Sequence, residues 1–266
     1  MPKARPEVSA EIGIIGGTGS FPAELLENAQ AVRPKTPYGS TSDRIVVGSF
    51  EGRRVALLPR HGPGHSIPPH MINFRANIWA LKKMGVDKVF ATTAVGSLNE
   101  DYAAGDAVIP DQFIDWGKTV HTFYNGPEVC HVSMADPFCP ELRKILISSA
   151  KALGLPTKDR GTYLSIEGPQ FSTRAASRMY RQFADIIGMT ASPEAILCRE
   201  QGMCFAVLAS VTDYDAWKEH AVSMEGVKSV MAQNVETARI VLGRSIAEAP
   251  RERSCGCCDA LKYARA

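Results

Sequence analysis

Arg60 and His61 stand side by side directly after an apolar run, in LLPRHGPGH, and form the first chemical signal of the sequence. A guanidinium at the end of a buried strand is costly unless it meets an anion, and its fork matches phosphate. The plainer reading is an arginine bridging to a carboxylate. Asp213 and Asp215 close a second apolar run at TDYD. In extended backbone, residues two apart share one face, so these carboxyls could act together or could simply cap the next segment of chain. Thr93 and Thr190 are strand-end hydroxyls able to donate to phosphate oxygens, although each alone reads equally well as a cap. Gly16-Gly17-Thr18-Gly19 could wrap an anion in backbone amides or could be only a tight corner. It is not a dinucleotide fingerprint, because Pro22 stands where glycine would be required, and no G-x-x-x-x-G-K-[ST] loop occurs.

The elements that must present these groups alternate between strand and helix. Glu11–Ile15 reads as a buried strand entering the glycine turn, and residues 45–50 and 53–59 as two strands of a hairpin turning at Glu51-Gly52. Apolar residues at helical spacing predict a helix from Asn73 to Met84, stopped by Gly85, with a strand over Val86–Thr92 after it. Helices over Pro140–Leu153 and Ser172–Phe183, and strands over Tyr163–Ile166 and Asp185–Met189, continue the alternation. Ser192-Pro193-Glu194 carries the signature of a helix start. Met203–Val211 is the most apolar run, and Ser223 caps a last long helix whose inner face is Val227, Val230, Met231, Ala238, Val241 and Leu242. The pattern predicts one α/β domain over residues 1–249, with a ligand beyond the strand carboxyl ends. Residues 250–266 read as a tail, docked by its cysteines or left mobile.

Among 266 residues, 45% are apolar and 22% charged, ordinary values for a globular core. A net charge of +2 with mixed signs argues against nucleic acid or an anionic membrane as partner. No run is apolar enough for a signal peptide or membrane span, so a cytoplasmic location is expected.

Six collinear segments closely resemble the methylthioadenosine phosphorylases: GIIGGTGSF, LPRHGPGHSIPPHMINFRANIWALKKMG, TTAVGSL, IEGPQFSTRAASRMY, GMTASPEA and TDYDAWKEH. The resemblance implies the nucleoside phosphorylase fold, a mixed and partly barrel-like sheet flanked by helices, assembled as a homotrimer or a hexamer of two trimers. It implies that Thr18, Arg60, His61, Thr93, Ala94 and Thr190 bind phosphate and that Met189 contacts the ribose. By the same resemblance Asp213, Tyr214 and Asp215 surround the purine, with Phe171 and Ser172 at sugar and base. Met224, Val227 and, from a neighbouring subunit, His131 would surround the 5' substituent. One departure is Gly188, where the animal enzymes carry a larger polar residue. The ending Cys255-Gly256-Cys257-Cys258 looks like the archaeal-type branch, some members of which also accept adenosine.

The expected chemistry is phosphorolysis of 5'-methylthioadenosine, with inorganic phosphate as co-substrate and with neither cofactor nor metal. Asp213 would act as general acid at purine N7 and Asp215 would accept from the 6-amino group. The alternative is a phosphorylase of 6-oxopurine nucleosides, which asparagine at 213 would have favoured. Seven cysteines are many for a cytosolic chain, where disulfides are rare outside hyperthermophiles. The expectation is nevertheless that some pair, Cys139 with Cys204 and Cys198 with the tail, the alternative being free buried thiols.

Overall fold

A computed structural model describes residues 8–16, 21–218 and 222–265; within the last helix, the side chains of residues 224, 228 and 231–234 also fall outside the description. Thr18 and the turn around it therefore lie outside the described residues.

In chain order the strands are β1 (Ile12–Gly16), β2 (Glu27–Val32), β3 (Ile45–Phe50), β4 (Arg53–Pro59), β5 (Lys88–Ser97), β6 (Ala107–Val108), β7 (Gln112–Asp115), β8 (Thr157–Lys158), β9 (Thr162–Ser165), β10 (Ile186–Gly188) and β11 (Cys204–Asp213). The α-helices are α1 (Phe74–Lys83), α2 (Pro140–Ala152), α3 (Arg174–Tyr180), α4 (Ala191–Glu200) and α5 (Met224–Glu248).

Among the described residues, all eleven strands join one mixed sheet, in the order β2-β3-β4-β1-β5-β10-β9-β7, from which β11, β6 and β8 branch. β5 is the branch point. Its first half pairs with β1 in parallel, nearly its whole length pairs with β11 in parallel, and Gly96 and Ser97 pair with β10 in antiparallel fashion. β4 also runs parallel to β1. The carboxyl ends of β4, β1, β5 and β11 therefore meet at one edge, which is why Arg60-His61, Thr93-Ala94 and Asp213 can face a common space.

Period-two alternation sorts these strands between two cores. Ala56, Leu58, Val89, Ala91, Phe205 and Val207 pack with α1 and α4, whereas Val55, Leu57, Phe90, Ala206 and Leu208 pack with α2 and α5. A near-continuous apolar run such as Cys204–Val211 is what a strand covered on both faces requires.

The hairpin strands fall where the pattern predicts, at 45–50 and 53–59. β5 runs on through TTAVGS, so these small polar residues belong to the strand and not to a loop after it. α4 starts earlier than its helix signature suggests: Thr190 is the N-cap, and Ser192 and Pro193 are buried within the first turn. Proline is tolerated there because the first amides of a helix have no intrahelical partner. Ser223 caps α5 as expected, its hydroxyl accepting from the Gly226 amide at 3.1 Å.

The expected disulfides are not formed, and all seven cysteines are free thiols. Cys139 and Cys204 do meet, but as two of four sulfurs, with Cys255 and Cys257, lying within 4.8 Å of one another. The tail is docked: Cys257 is buried, Arg253 donates to the Gly202 carbonyl at 2.8 Å, and the His131 amide donates to the Ala264 carbonyl at 2.7 Å.

Candidate active site

One pocket opens at the shared strand edge and takes in Arg60, His61, Thr93, Ala94, Phe171, Ser172, Met189, Thr190, Asp213, Asp215 and Val227. Eleven side chains expected at a site thus come together. Tyr214 does not line the pocket; it packs edge-on against Trp217, with the Lys218 ammonium 3.4 Å from its ring centre. It follows Asp213, and successive extended residues point to opposite sides. His131, expected to act from a neighbouring subunit, is exposed and also lies apart from this pocket. The Met224 side chain, like Thr18, lies outside the described residues.

At one end of the pocket both readings of Arg60 hold together. Its Nε and Nη2 donate to the two carboxylate oxygens of Glu194, at 2.5 and 2.9 Å, and its Nη1 donates to the Thr92 carbonyl at 2.9 Å. Three of the five guanidinium N–H bonds are spent on holding the fork, which leaves two for an anion. Burial pushes the Glu194 carboxyl up, and the Arg60 charge and hydrogen bonds oppose that rise. In the sequence Glu194 stands only as an early acid at a helix start. Its signal was the same: an acid that the helix period turns toward the core needs a cation.

His61 is lowered to about 4, first by burial and then by the neighbouring Arg60 charge, so it is neutral at pH 7. Its Nδ1 lies 2.9 Å from the Ile67 carbonyl, which accepts from a protonated Nδ1 and leaves Nε2 as an acceptor. The Thr93 and Thr190 hydroxyls approach to 3.5 Å. Thr190 caps α4 without a side-chain cap bond, which leaves its hydroxyl available at the positive end of the helix, while its amide donates to the Tyr163 hydroxyl at 3.4 Å. Two hydroxyls, a half-engaged guanidinium and a helix start make an oxyanion site whose own charges are nearly balanced.

At the other end the Asp213 carboxyl accepts from the Thr212 hydroxyl at 2.8 Å and from the Asp215 amide at 2.8 Å. This is the local capping geometry that its spacing allowed. Burial nevertheless pushes its carboxyl above the ordinary aspartate range, the two hydrogen bonds oppose the rise, and Asp215 adds to it. Asp215 sits at φ 48, a left-handed conformation uncommon for a residue other than glycine, asparagine or aspartate. Its Oδ2 and the Ser172 Oγ are buried with no hydrogen-bond partner. Buried polar atoms without partners cost about 1–3 kcal/mol each, and here both line a pocket that a polar ligand can enter. The Trp217 indole donates to the Ser97 carbonyl at 2.7 Å and pins the segment after β11 to β5.

Two glycines make this arrangement possible. A Cβ on Gly96 would lie 3.0 Å from Asp213 Oδ1 and 3.2 Å from Asp215 Cβ, so only glycine lets the carboxyls sit against β5. A Cβ on Gly188 would overlap the hydroxyl of the fully buried Tyr163 and lie 2.7 Å from its Cζ. The absence of a larger residue at 188 thus has a partner on β9.

Residues 11–247 match the sequence profile of the phosphorylase superfamily, and the chain belongs to that superfamily. Within it, the S-methyl-5'-thioadenosine phosphorylase of Pyrococcus horikoshii is 56% identical over 95% of this chain and 98% of its own length. The protein of the same name from Saccharolobus solfataricus is 52% identical over 96% and 97%. Among solved structures, a methylthioadenosine phosphorylase from an antarctic soil metagenomic library superposes with a TM-score of 0.90 at 45% identity, covering 97% of this chain and 93% of that one. The methylthioadenosine phosphorylase of Schistosoma mansoni, in complex with adenine, gives 0.89 at 36% identity and 96% of each chain.

Proposed function

We propose that the chain catalyses phosphorolysis of 5'-methylthioadenosine to adenine and 5-methylthioribose 1-phosphate, and accepts adenosine less well. The observation that carries this reading is the two-ended pocket. Arg60, His61 and Thr93 with Thr190 suit an oxyanion, and three residues along β5 from Thr93, Gly96 sits beside the two aspartates. At about 3.3 Å per residue that is about 10 Å, room for a ribose between anion and base.

In the reaction a phosphate oxygen forms a bond to C1' as the N9–C1' bond breaks and its electron pair passes to the purine. Asp213, kept protonated more readily by burial, gives its proton toward N7, and Asp215 accepts from the 6-amino group. The proton that attacking phosphate loses balances the one the purine gains. Thr18 and the amides around it, Ala94, Met189, Phe171 and Ser172 complete phosphate, ribose and base contacts in this reading, whereas Tyr214, expected at the base, packs against Trp217. Val227, Met224 and a neighbour's His131 border the 5' group.

Inorganic phosphate is the co-substrate, and the reading assigns no cofactor. A homo-oligomer, trimer or hexamer, suits the apolar side chains Val120, Phe183 and Trp116, which are 80%, 59% and 51% exposed. A cytoplasmic location agrees with the finding that no described helix is long and apolar enough to cross a membrane. The 6-oxopurine alternative is disfavoured because aspartate, and not asparagine with its amide donor, stands at 213. Turnover of methylthioadenosine, adenosine and inosine, each with and without phosphate, tests the assignment; adenine release at the same rate without phosphate overturns it.

A further inference from the structure

Tyr163 on β9 is fully buried and is not part of the pocket wall. A phenol hydroxyl at that depth needs partners for both its proton and its oxygen. β10 lies between β9 and β5 in the sheet, and the Tyr163 ring reaches across it at Gly188. A Cβ at 188 would lie 2.7 Å from the ring Cζ and overlap the hydroxyl, so the glycine opens the way from β9 toward the phosphate end of the pocket. There the hydroxyl accepts from the Thr190 amide at 3.4 Å, and the Ala191 amide and the Thr93 hydroxyl are also within its reach. Thr93, Gly188 and Thr190 all line the pocket, and Tyr163 stands directly behind them.

We propose that Tyr163 is a positioning residue for phosphate, its hydroxyl accepting from the start of α4 and donating to Thr93, so that both threonine O–H bonds turn to the anion. The inference rests on the reading that this anion is the phosphate co-substrate. Between two hydroxyls either oxygen can donate, and the amides decide the direction here: they donate into the phenol oxygen, which leaves its single proton for Thr93 Oγ1. Hydrogen bonds into the oxygen also polarise the O–H and strengthen its own donation. Thr93 Oγ1 then has an acceptor role filled and draws little on the Thr190 hydroxyl, which lies at 3.5 Å. The Thr93 proton rests on the Ala94 carbonyl at 3.2 Å, a neutral bond that the stronger, charge-assisted bond to a phosphate oxygen displaces. Burial pushes the Tyr163 phenol above its ordinary value, with the Thr190 and Ala191 amides opposing, so the proton it donates is present throughout the neutral range.

Tyr163→Phe removes the oxygen and keeps the ring beside Gly188. The KM for phosphate should rise about five- to tenfold, the effect of one lost hydrogen bond, while the KM for methylthioadenosine at saturating phosphate stays within about twofold of the parent. In a Thr93→Val background most of that rise should vanish, because the route from Tyr163 to the anion is gone. Tyr102→Phe is the control: that hydroxyl donates to the Arg160 carbonyl at 3.0 Å, away from the pocket, and its loss should not move the phosphate KM. Should Tyr163→Phe not fold, Tyr163→Met keeps bulk without the oxygen and is expected to give the same shift. An unmoved phosphate KM, a fall in kcat alone, or fully additive effects of Tyr163→Phe and Thr93→Val would overturn the proposal and leave the assigned reaction standing. Adenine release without phosphate in the parent chain would instead overturn the reading on which it rests.

Discussion

Arg60 and Glu194, separated by 134 residues, form a bidentate ion pair with side chains 2% and 1% exposed. The pair aims the guanidinium and cancels its charge, so an anion there meets directed N–H groups and a helix start and not a free cation. Arg60→Ala should lose most turnover, since a charged contact at a transition state is worth about 2–4 kcal/mol. Glu194→Gln keeps the shape but leaves Arg60 loosely held. It should raise the KM for phosphate and lower thermal stability, with removal of one partner of a buried pair costing up to about 3–5 kcal/mol. Unchanged phosphate KM in Glu194→Gln would show that Arg60 needs no such partner.

Asp213→Asn removes the titratable proton and adds an amide donor. Methylthioadenosine turnover should fall and the ratio of inosine to adenosine activity should rise. Burial raises the Asp213 pKa, so the acid is lost as pH rises through that raised value, and the corresponding limb of the pH–kcat/KM profile should vanish in the variant. A fixed base ratio and an unaltered limb would leave Asp213 as a cap alone.

His61 supplies a pH dependence of stability. Unfolded, it takes a proton near 6.5, and folded near 4, so between those values the unfolded chain binds more protons. The stability is fully present above about 6.5 and declines as pH falls toward 4. The thermal midpoint of His61→Gln should therefore fall less than that of the parent between pH 7 and pH 4.5, when each is measured by calorimetry. Parallel slopes would refute the assignment.

Gly188→Ala places a methyl against the Tyr163 ring, and overpacking of this kind costs about 1–3 kcal/mol. The double variant with Tyr163→Ala should lose less than the sum of the two single losses, which a cycle of thermal midpoints measures directly. Additive losses would mean that the two positions do not meet.

Val227 at the pocket wall should favour the methylthio group over a hydroxyl, at about 0.8 kcal/mol per buried methylene-sized unit. Methylthioadenosine is expected to have the lower KM, and Val227→Asn should narrow the gap. Equal constants for the two nucleosides in the parent chain would mean that the 5' side is wet.

What the sequence determined by itself was local in kind. The alternation of buried strands and amphipathic helices was legible because β3, β4 and β11 are apolar runs of strand length and α5 carries its stripe and serine cap. The chemical groups were legible because each stands by an apolar run: Arg60 after β4, Thr93 within β5 after its apolar first half, Asp213 at the end of β11. β2 carries no such signal because ENAQAV is exposed and half polar, and β6 and β8 carry none because two residues have no period. Only tertiary structure decided which groups meet. Parallel pairing around β1 and β5 brings four strand ends to one edge, and α4 delivers Thr190 to Thr93 and Glu194 to Arg60. Four sulfurs from positions 139, 204, 255 and 257 converge for the same reason. Periodicity reports which face of an element is buried, whereas a site also requires knowing which other element covers that face, and long-range pairing alone supplies that.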